Sequence, residues 1–318
     1  MSPRQSTTAT RHFKSEKFDF SSFFFSGLTG LATLLILAIL AVILLNIIIN
    51  GWSGLSWHFV STIPKKDFFD IHTTGVLPMI VGTSIRVIVM TVFVIPVGVV
   101  TAIYLTEYAP NTSLITRTIR AAVNNLAGVP SIVFGLFGVG FFINFIGKNV
   151  DRALHNSGPV WGQPALIWAS MTLAVMTLPV VIVATEESLK AIPPGLREAS
   201  LALGATKLET IWRIVLPQAL PGILTGGILA VSRAAGEVAP ILFTGVAYYT
   251  SSLPTKLTDQ FMDLGYHIFV LSTQSPNIDK TQPILYATVL VLLILTFSLN
   301  IVAIFVRARM RRNLRSFH

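Results

Sequence analysis

The sequence predicts an all-α membrane protein whose helices cross the bilayer six times. Of its 318 residues, 53% are hydrophobic and 12% are charged, whereas a soluble domain is about 25% charged. Uncharged stretches recur along the chain at close to the roughly 20 residues that a helix needs to cross a hydrocarbon core about 30 Å thick. Lysine and arginine collect between these stretches. A water-soluble fold is therefore not expected.

Hydropathy assigns the approximate bounds of each span. The candidate spans cover residues 27–49, 76–104, 121–146, 163–185, 220–245 and 284–306. A basic tail over residues 1–26 precedes the first span. That span is too long for the core of a signal peptide and has no small-residue cleavage site after it, so we expect it to be retained. An organelle transit peptide at the N-terminus is the alternative interpretation.

The positive charges predict the orientation of the chain. Segments 1–26, 105–120, 186–219 and 307–318 contain 15 of the 23 Lys and Arg residues, and the intervening loops contain 6. By the positive-inside rule, both termini are expected in the cytoplasm. The net charge of +9 lies at helix ends and in a basic tail over residues 311–318, which favours contact with anionic lipid rather than nucleic acid. The absence of cysteine excludes disulfides and thiolate metal sites.

Two short helices are predicted in the loop between the fourth and fifth spans. Pro193 and Pro194 suit the start of the first helix, and Gly204 suits the left-handed residue after its end. Thr206 and Glu209 have the spacing of a capping box at the start of the second helix. Pro217 is expected to end that helix.

One face of the first short helix combines small and apolar side chains at three- and four-residue spacing. It consists of Leu196, Ala199, Ser200 and Leu203. Such a face suits insertion into a groove of another protein. Periodicity alone leaves a second interpretation open, in which the helix lies on the membrane surface.

This loop resembles the EAA loop of binding-protein-dependent ABC importer permeases. The matching residues are Glu198-Ala199-Ser200, then Gly204 after three residues, then Ile214-Val215-Leu216-Pro217 after nine more. Ser200 replaces the usual second alanine. The resemblance implies a type I, MetI-like permease domain over residues 70–310, with its EAA loop at 186–219. It also implies a coupling helix that docks into an ATPase subunit through Glu198, Ala199, Ser200, Leu203 and Gly204.

Two further segments, 125–136 and 232–244, resemble the PstA family of phosphate importer permeases more than the PstC family of their partners. The resemblance implies one half of the translocation pathway of an ATP-driven phosphate importer in a bacterial or archaeal plasma membrane. The implied partners are a PstC-like permease, two PstB-like ATPase subunits and a PstS-like phosphate-binding protein. ATP and Mg²⁺ would be bound by the ATPase subunits, with no cofactor in this chain, which has no P-loop motif.

Alternative functions remain open at this point. A permease for a related oxyanion, sulfate or molybdate, would have the same EAA loop. A secondary anion transporter would also bury charged residues, but it would not need that loop. A membrane enzyme is disfavoured because the sequence contains no His/Glu metal motif and no serine-nucleophile elbow.

Charged residues inside the spans are the candidate pathway residues. A central Arg costs about 2.5–3.5 kcal/mol on insertion scales, so such residues usually have a function. Arg86 in the second span and Arg233 in the fifth both approach the middle of the membrane, and guanidinium groups bind phosphate oxygens with paired donors. Glu237 is expected one helical turn after Arg233, on the same face. In the alternative interpretation, Arg233 and Glu237 only neutralise each other.

Small residues predict close helix packing in two spans. In the fifth span, Gly222, Gly226, Ala230 and Ala234 recur every four residues. In the third span, the glycines and the proline suit either close packing, which we favour, or a gate or hinge; they are Gly128, Pro130, Gly135, Gly138 and Gly140. The longest external loop, 247–283, contains Phe261, Met262, Leu264 and Ile268, which could dock a binding protein.

Overall fold

A computed structural model describes residues 20–64, 74–110, 112–155, 158–275 and 277–315. Most of the predicted tail over residues 1–26 lies outside the described residues, as do residues 316–318 of the predicted basic tail. The described chain is almost entirely helical. Its helices are α1 (Phe20–Trp52), α2 (Trp57–Ser61), α3 (Leu77–Ile103), α4 (Leu114–Leu126), α5 (Ser131–Phe137), α6 (Lys148–Ala153), α7 (Leu166–Lys190), α8 (Pro194–Ala202), α9 (Lys207–Thr210), α10 (Leu216–Gly236), α11 (Leu264–Thr273) and α12 (Ile278–Arg315).

Six helical stretches of the described residues are long and apolar enough to cross a membrane, which confirms the predicted number. They are Ser21–Trp52, Leu77–Tyr108, Ser131–Ala153, Leu166–Lys190, Lys207–Gly236 and Ile278–Met310. Three of them contain π-helical turns, at Tyr104–Tyr108, Gly138–Gly147 and Ile211–Val215. Each π-helical turn follows directly from an α-helix, so the spans are longer than their α-helical parts.

By its internal packing the chain divides into two units, with the boundary after Ile48. The described part of the first unit belongs to α1, whose residues are almost all exposed and apolar. Apolar side chains on every side of a helix are typical of a membrane span.

The second unit is built around α7, which packs against α3 and α10, while α10 also packs against α12. A core cluster joins these helices through Val87, Met90, Leu173, Val181 and Ala234, all at most 1% exposed. The predicted small-residue stripe of the fifth span forms part of this packing. A Cβ atom on Gly226 would lie 2.7 Å from the Cβ of Ala184 on α7, and Ala230 is 1% exposed. Close helix packing in this stripe is therefore confirmed.

The predicted bounds of the third span, 121–146, are wrong. Residues Leu114–Leu126 form the separate amphipathic helix α4, and the membrane helix runs from Ser131 to Ala153. Pro130 interrupts the helix with φ −56° and ψ 138°. Proline has no N–H to donate and disfavours a helical conformation in the residue before it, so the chain turns here.

The prediction that Pro217 ends the second short helix is also wrong. The helix continues from Lys207 to Gly236 as one stretch of 30 residues. Before the proline, the turn Ile211–Val215 is π-helical and the N–H of Leu216 donates to the carbonyl of Ile211. Pro217 thus lies directly after the π-helical turn, at the start of α10, and the altered hydrogen-bond pattern of that turn accommodates the proline within the continuing helix.

After Gly236 the chain leaves the helix that was predicted to continue to residue 245. Residues 237–263, here called the α10–α11 segment, are irregular but partly buried. Its carbonyls accept from the first turn of α7, with 2.9 Å from Ala165 N to Thr244 O and 2.9 Å from Leu166 N to Asp259 O. The backbone N–H of Lys256 lowers the pKa of Asp259 below its ordinary value by bonding to its carboxylate. Irregular backbone that is partly buried is tolerated because other protein groups satisfy its N–H and C=O groups.

The proposed docking surface in this region is wrong for three of its four residues. Phe261 and Leu264 are fully buried and Met262 is 2% exposed. These side chains belong to the core because the α10–α11 segment packs inward, between α3 and α11.

Glycines let helices approach the α10–α11 segment closely. A Cβ atom on Gly82 of α3 would collide with the carbonyl oxygen of Met262, and one on Gly135 would lie 3.2 Å from the carbonyl oxygen of Pro240. Gly138 is similarly close to side chains, whereas Gly140 has nothing within 4 Å. Close packing is thus confirmed for Gly135 and Gly138, and Gly140 does not take part in it.

We expect Gly82→Ala to destabilise the protein by about 1–3 kcal/mol, the usual cost of overpacking, because the added methyl meets backbone rather than a flexible side chain. Gly140→Ala is the matched control, since a Cβ there meets no neighbour. Thermal melting of the detergent-solubilised chain measures the difference. Equal melting temperatures for the two variants would contradict this account of the packing.

Candidate functional site

Arg86 is fully buried inside the second unit. Its Nη2 lies 2.8 Å from Oδ2 of Asp263, whose side chain is also 0% exposed. Nη1 donates to the carbonyls of Ala234 at 3.1 Å and Glu237 at 3.4 Å, and Nη2 donates to the carbonyl of Ala235 at 3.3 Å. The terminal nitrogens of Arg86 are therefore directed at protein groups, which argues against direct contact with a passing anion.

Arg233 and Glu237 lie together at the end of α10. Nε of Arg233 is 3.5 Å from Oε1 of Glu237, and their side chains are 43% and 24% exposed. The prediction that the helix continues through Glu237 is wrong, because Glu237 follows the last helical residue with φ −81° and ψ 128°. The ion pair nevertheless forms. Because the pair is partly exposed, guanidinium donors of Arg233 remain accessible to solvent. A residue that binds an anion in a pathway needs such accessible donors.

The loop after α7 has the local structure that the sequence predicts. Helix α8 begins at Pro194 after Pro193, and Gly204 has a left-handed φ of +87°. Thr206 accepts from the N–H of Glu209 at 3.2 Å, and the Glu209 carboxylate accepts from the N–H of Thr206 at 2.9 Å. Local contacts thus fix the end of α8 and the start of α9.

Helix α8 presents an exposed surface that includes most of the predicted coupling residues. Leu203 is 89% exposed and Leu196 is 40% exposed, and Glu198 and Ala199 are also exposed. Ser200 differs, since its hydroxyl lies 2.9 Å from that of Thr210 and so joins α8 to α9. An exposed leucine beside small and acidic residues is suited to burial in a partner.

Sequence reasoning missed the contact that holds α8 to the membrane helices. Nη2 of Arg197 lies 2.8 Å from Oε1 of Glu107, in the π-helical turn that ends the second span. The same guanidinium donates to the carbonyls of Leu189 and Ile192 at 2.8 Å each, at the C-terminal end of α7. A cation at a helix C-terminus is favourable because the carbonyls carry partial negative charge. Arg197 therefore links α8 to α3 and α7 at once.

A polar cavity of about 250 Å³ lies next to this linkage, between α4 and α7. Glu186 lines it and is paired with Lys190 at 2.8 Å and with Arg120 at 3.7 Å. The cavity is lined by equal numbers of acidic and basic side chains, so it does not favour a bound anion. No cluster of His, Cys, Asp and Glu that could hold a metal ion occurs among the described residues.

A family model described as "Binding-protein-dependent transport system inner membrane component" matches residues 94–315. Among curated relatives, the "Probable ABC transporter permease protein YqgI" of Bacillus subtilis (strain 168) is 36% identical over 219 residues, which cover 69% of this chain and 68% of that protein. The "Phosphate transport system permease protein PstA 1" of Mycobacterium tuberculosis (strain CDC 1551 / Oshkosh) is 37% identical over 201 residues, 62% of this chain and 60% of that protein.

Solved structures share the fold at low sequence identity. A permease chain in the structure of a bacterial alginate ABC transporter in complex with an alginate pentasaccharide-bound periplasmic protein superimposes with a TM-score of 0.62. It is 14% identical, and the match covers 92% of this chain and 96% of that one. A chain of the MetNI methionine ABC transporter, in an inward-facing conformation, has a TM-score of 0.52 at 20% identity, with 74% and 94% covered. The predicted MetI-like fold is therefore confirmed.

Replacing Arg197 with Gln is expected to loosen α8 without unfolding the membrane helices. The change removes charged hydrogen bonds worth about 1.5–3 kcal/mol each, so amide exchange in residues 194–202 is expected to quicken by about tenfold or more. Hydrogen exchange read by mass spectrometry measures this rate. Arg213→Gln, at an exposed position nearby, is the control and should leave exchange in α8 unchanged. Equal exchange in both variants would contradict the linkage.

Proposed function

This chain belongs to the family of binding-protein-dependent transport system inner membrane components, and from that premise we propose that it is a permease subunit of an ATP-driven phosphate importer. Family membership makes it a multi-pass membrane component of an ABC transport system rather than an enzyme. The proposal of phosphate is supported by relatives named for phosphate transport, among them the PstA 1 protein of M. tuberculosis and, at 25% identity over 288 residues, a PstC protein of Pasteurella multocida.

The observation that carries the proposal is the partly exposed guanidinium of Arg233 at the end of α10. Hydrogen phosphate must give up hydrating water to cross a membrane, and a guanidinium replaces that water with two planar donors. Glu237 beside it limits the positive charge, so that an anion can leave as well as bind. A second permease subunit, PstC-like, would supply the other half of the pathway.

The coupling role is proposed for α8. With both termini in the cytoplasm, α8 lies on the cytoplasmic side, where Glu198, Ala199 and Leu203 are exposed toward a partner. Two PstB-like ATPase subunits would bind ATP and Mg²⁺, and a PstS-like binding protein would deliver phosphate from outside. Movement of the ATPase subunits would be transmitted from α8 to the membrane helices through Arg197, which contacts the end of the second span and the end of α7.

Competition between anions tests the choice of substrate most directly. In proteoliposomes containing the assembled complex, uptake of radiolabelled phosphate should fall when unlabelled phosphate is added in excess. Excess sulfate or molybdate should leave uptake unchanged. Uptake of sulfate or molybdate in preference to phosphate would overturn the proposed substrate while leaving the family assignment in place.

Replacing Arg233 with Gln is expected to reduce phosphate uptake by about tenfold or more, because charged hydrogen bonds worth about 1.5–3 kcal/mol are lost. Uptake is measured per assembled complex, so that any loss of assembly is corrected. Arg309→Gln, at an exposed position near the C-terminus, is the control for removing one arginine. Near-normal uptake by the Arg233 variant would remove this residue from the mechanism.

Leu203→Gln is expected to weaken binding of the ATPase subunit, because burying a Leu side chain contributes about 1.5–3 kcal/mol. Co-purification of the ATPase subunit with the tagged permease measures the loss. The control is Leu201→Gln, which changes a 48% exposed leucine on the far side of α8. If both variants retain the ATPase subunit as well as the unchanged chain does, α8 is not the docking helix.

A further inference from the structure

The α10–α11 segment is attached at both of its ends to the same guanidinium. At its start, the terminal nitrogens of Arg86 donate to the carbonyls of Ala234, Ala235 and Glu237. At its end, Nη2 of Arg86 lies 2.8 Å from the carboxylate of Asp263. One side chain of α3 therefore joins two points that are 26 residues apart in the sequence, counted from Glu237 to Asp263.

The contacts at the start of the segment explain where α10 ends. A helix leaves its last carbonyls without intrahelical donors. Here Arg86 donates to the carbonyls of Ala234 and Ala235, the first of which also accepts from the N–H of Glu237. The charge of the guanidinium complements the partial negative charge of these carbonyls. The chain then turns extended at Glu237, and this turn brings the Glu237 carboxylate to 3.5 Å from Arg233.

Two further contacts of Asp263 and one of Thr83 fix the other end. Its Oδ2 accepts from the Thr83 hydroxyl of α3 at 2.8 Å, and its Oδ1 accepts from the N–H of Tyr266 at 3.2 Å as the N-cap of α11. The Thr83 hydroxyl also accepts from the N–H of Leu264 at 3.0 Å. Both carboxylate oxygens of Asp263 are thus engaged, and the end of the segment is held against α3 and α11 together.

We propose that Arg86 and Asp263 are positioning residues of the anion pathway, which set the geometry of the Arg233–Glu237 pair without contacting the anion. The inference rests on the proposed function and reassigns Arg86 from the pathway to its support. Two charges buried at 0% exposure are costly unless each satisfies the other. The ion pair and the hydrogen bonds that hold the end of α10 are made by the same guanidinium, so a change in one alters the other.

The test replaces both residues together, as Arg86→Gln with Asp263→Asn, in the assembled importer. The paired change removes both charges and keeps similar side-chain volumes, so no buried charge is left unpaired. We expect the complex to assemble and its ATPase subunits to hydrolyse ATP, while phosphate uptake per complex falls by about tenfold. Unchanged uptake in this double variant would overturn the proposal.

A second readout reports the position of the α10 end without any substrate. The chain contains no cysteine, so a nitroxide can be attached at Gly236→Cys, an exposed position where a Cβ atom meets nothing within 4 Å. The double variant should increase the mobility of this label in electron paramagnetic resonance spectra. Unchanged mobility would contradict the positioning role, whatever the uptake.

Arg307→Gln is the matched control for both readouts. Arg307 donates from α12 to the Thr225 hydroxyl of α10 at 2.9 Å, so its loss also removes a guanidinium contact with α10, far from the helix end. Uptake and label mobility should remain as in the unchanged chain. An effect as large as that of the double variant would show that any loosening of α10 suffices, and the proposal would fall.

If the double variant does not assemble, Thr83→Val carries the test, because it removes the hydroxyl contacts of Asp263 and Leu264 at nearly constant volume. We expect about a threefold loss of uptake together with increased label mobility, and the absence of both would overturn the proposal.

The label readout also separates this inference from the proposed function. Should the complex import sulfate and not phosphate, the phosphate assignment fails, while label mobility still tests the positioning role.

Discussion

The buried ion pair between Arg86 and Asp263 is the interaction on which the rest of the second unit depends. Both side chains are fully excluded from solvent and lie 2.8 Å apart. Removing one partner of a buried pair typically costs about 3–5 kcal/mol, because the other charge remains without compensation. This pair also ends α10, begins α11 and holds the intervening segment. The position of Arg233 is therefore a consequence of contacts made by residues that lie far from it in sequence.

A second arginine, Arg197, contacts a helix C-terminus in the same way. Arg197 donates to the last carbonyls of α7 and pairs with Glu107, as Arg86 donates to the last carbonyls of α10 and pairs with Asp263. In each case an arginine from a neighbouring element occupies a helix C-terminus, where a cation is favoured. Because α7 packs against both α3 and α10, its contacts lie between α8 at one end and the Arg233 region at the other.

Local signals in the sequence were sufficient for the features that local physics determines. The number of spans follows from apolar length, the ends of α8 follow from Pro194 and Gly204, and the start of α9 follows from the capping box of Thr206. Long-range contacts were not accessible in this way. Nothing near Arg86 in the sequence indicates Asp263 as its partner, so its burial as a helix cap could not be predicted. The continuation of the helix through Pro217 depends on a π-helical turn, which has no reliable sequence signal.

In the proposed mechanism, this chain passes phosphate only when separate ATPase subunits move α8. The direct measurement is phosphate uptake into proteoliposomes containing the assembled complex, with ATP supplied or withheld, and with or without a proton gradient. We expect uptake to require ATP and its hydrolysis and to be the same with and without the gradient. Uptake driven by the gradient in the absence of the ATPase subunits would rule out this mechanism and would identify a secondary anion transporter instead.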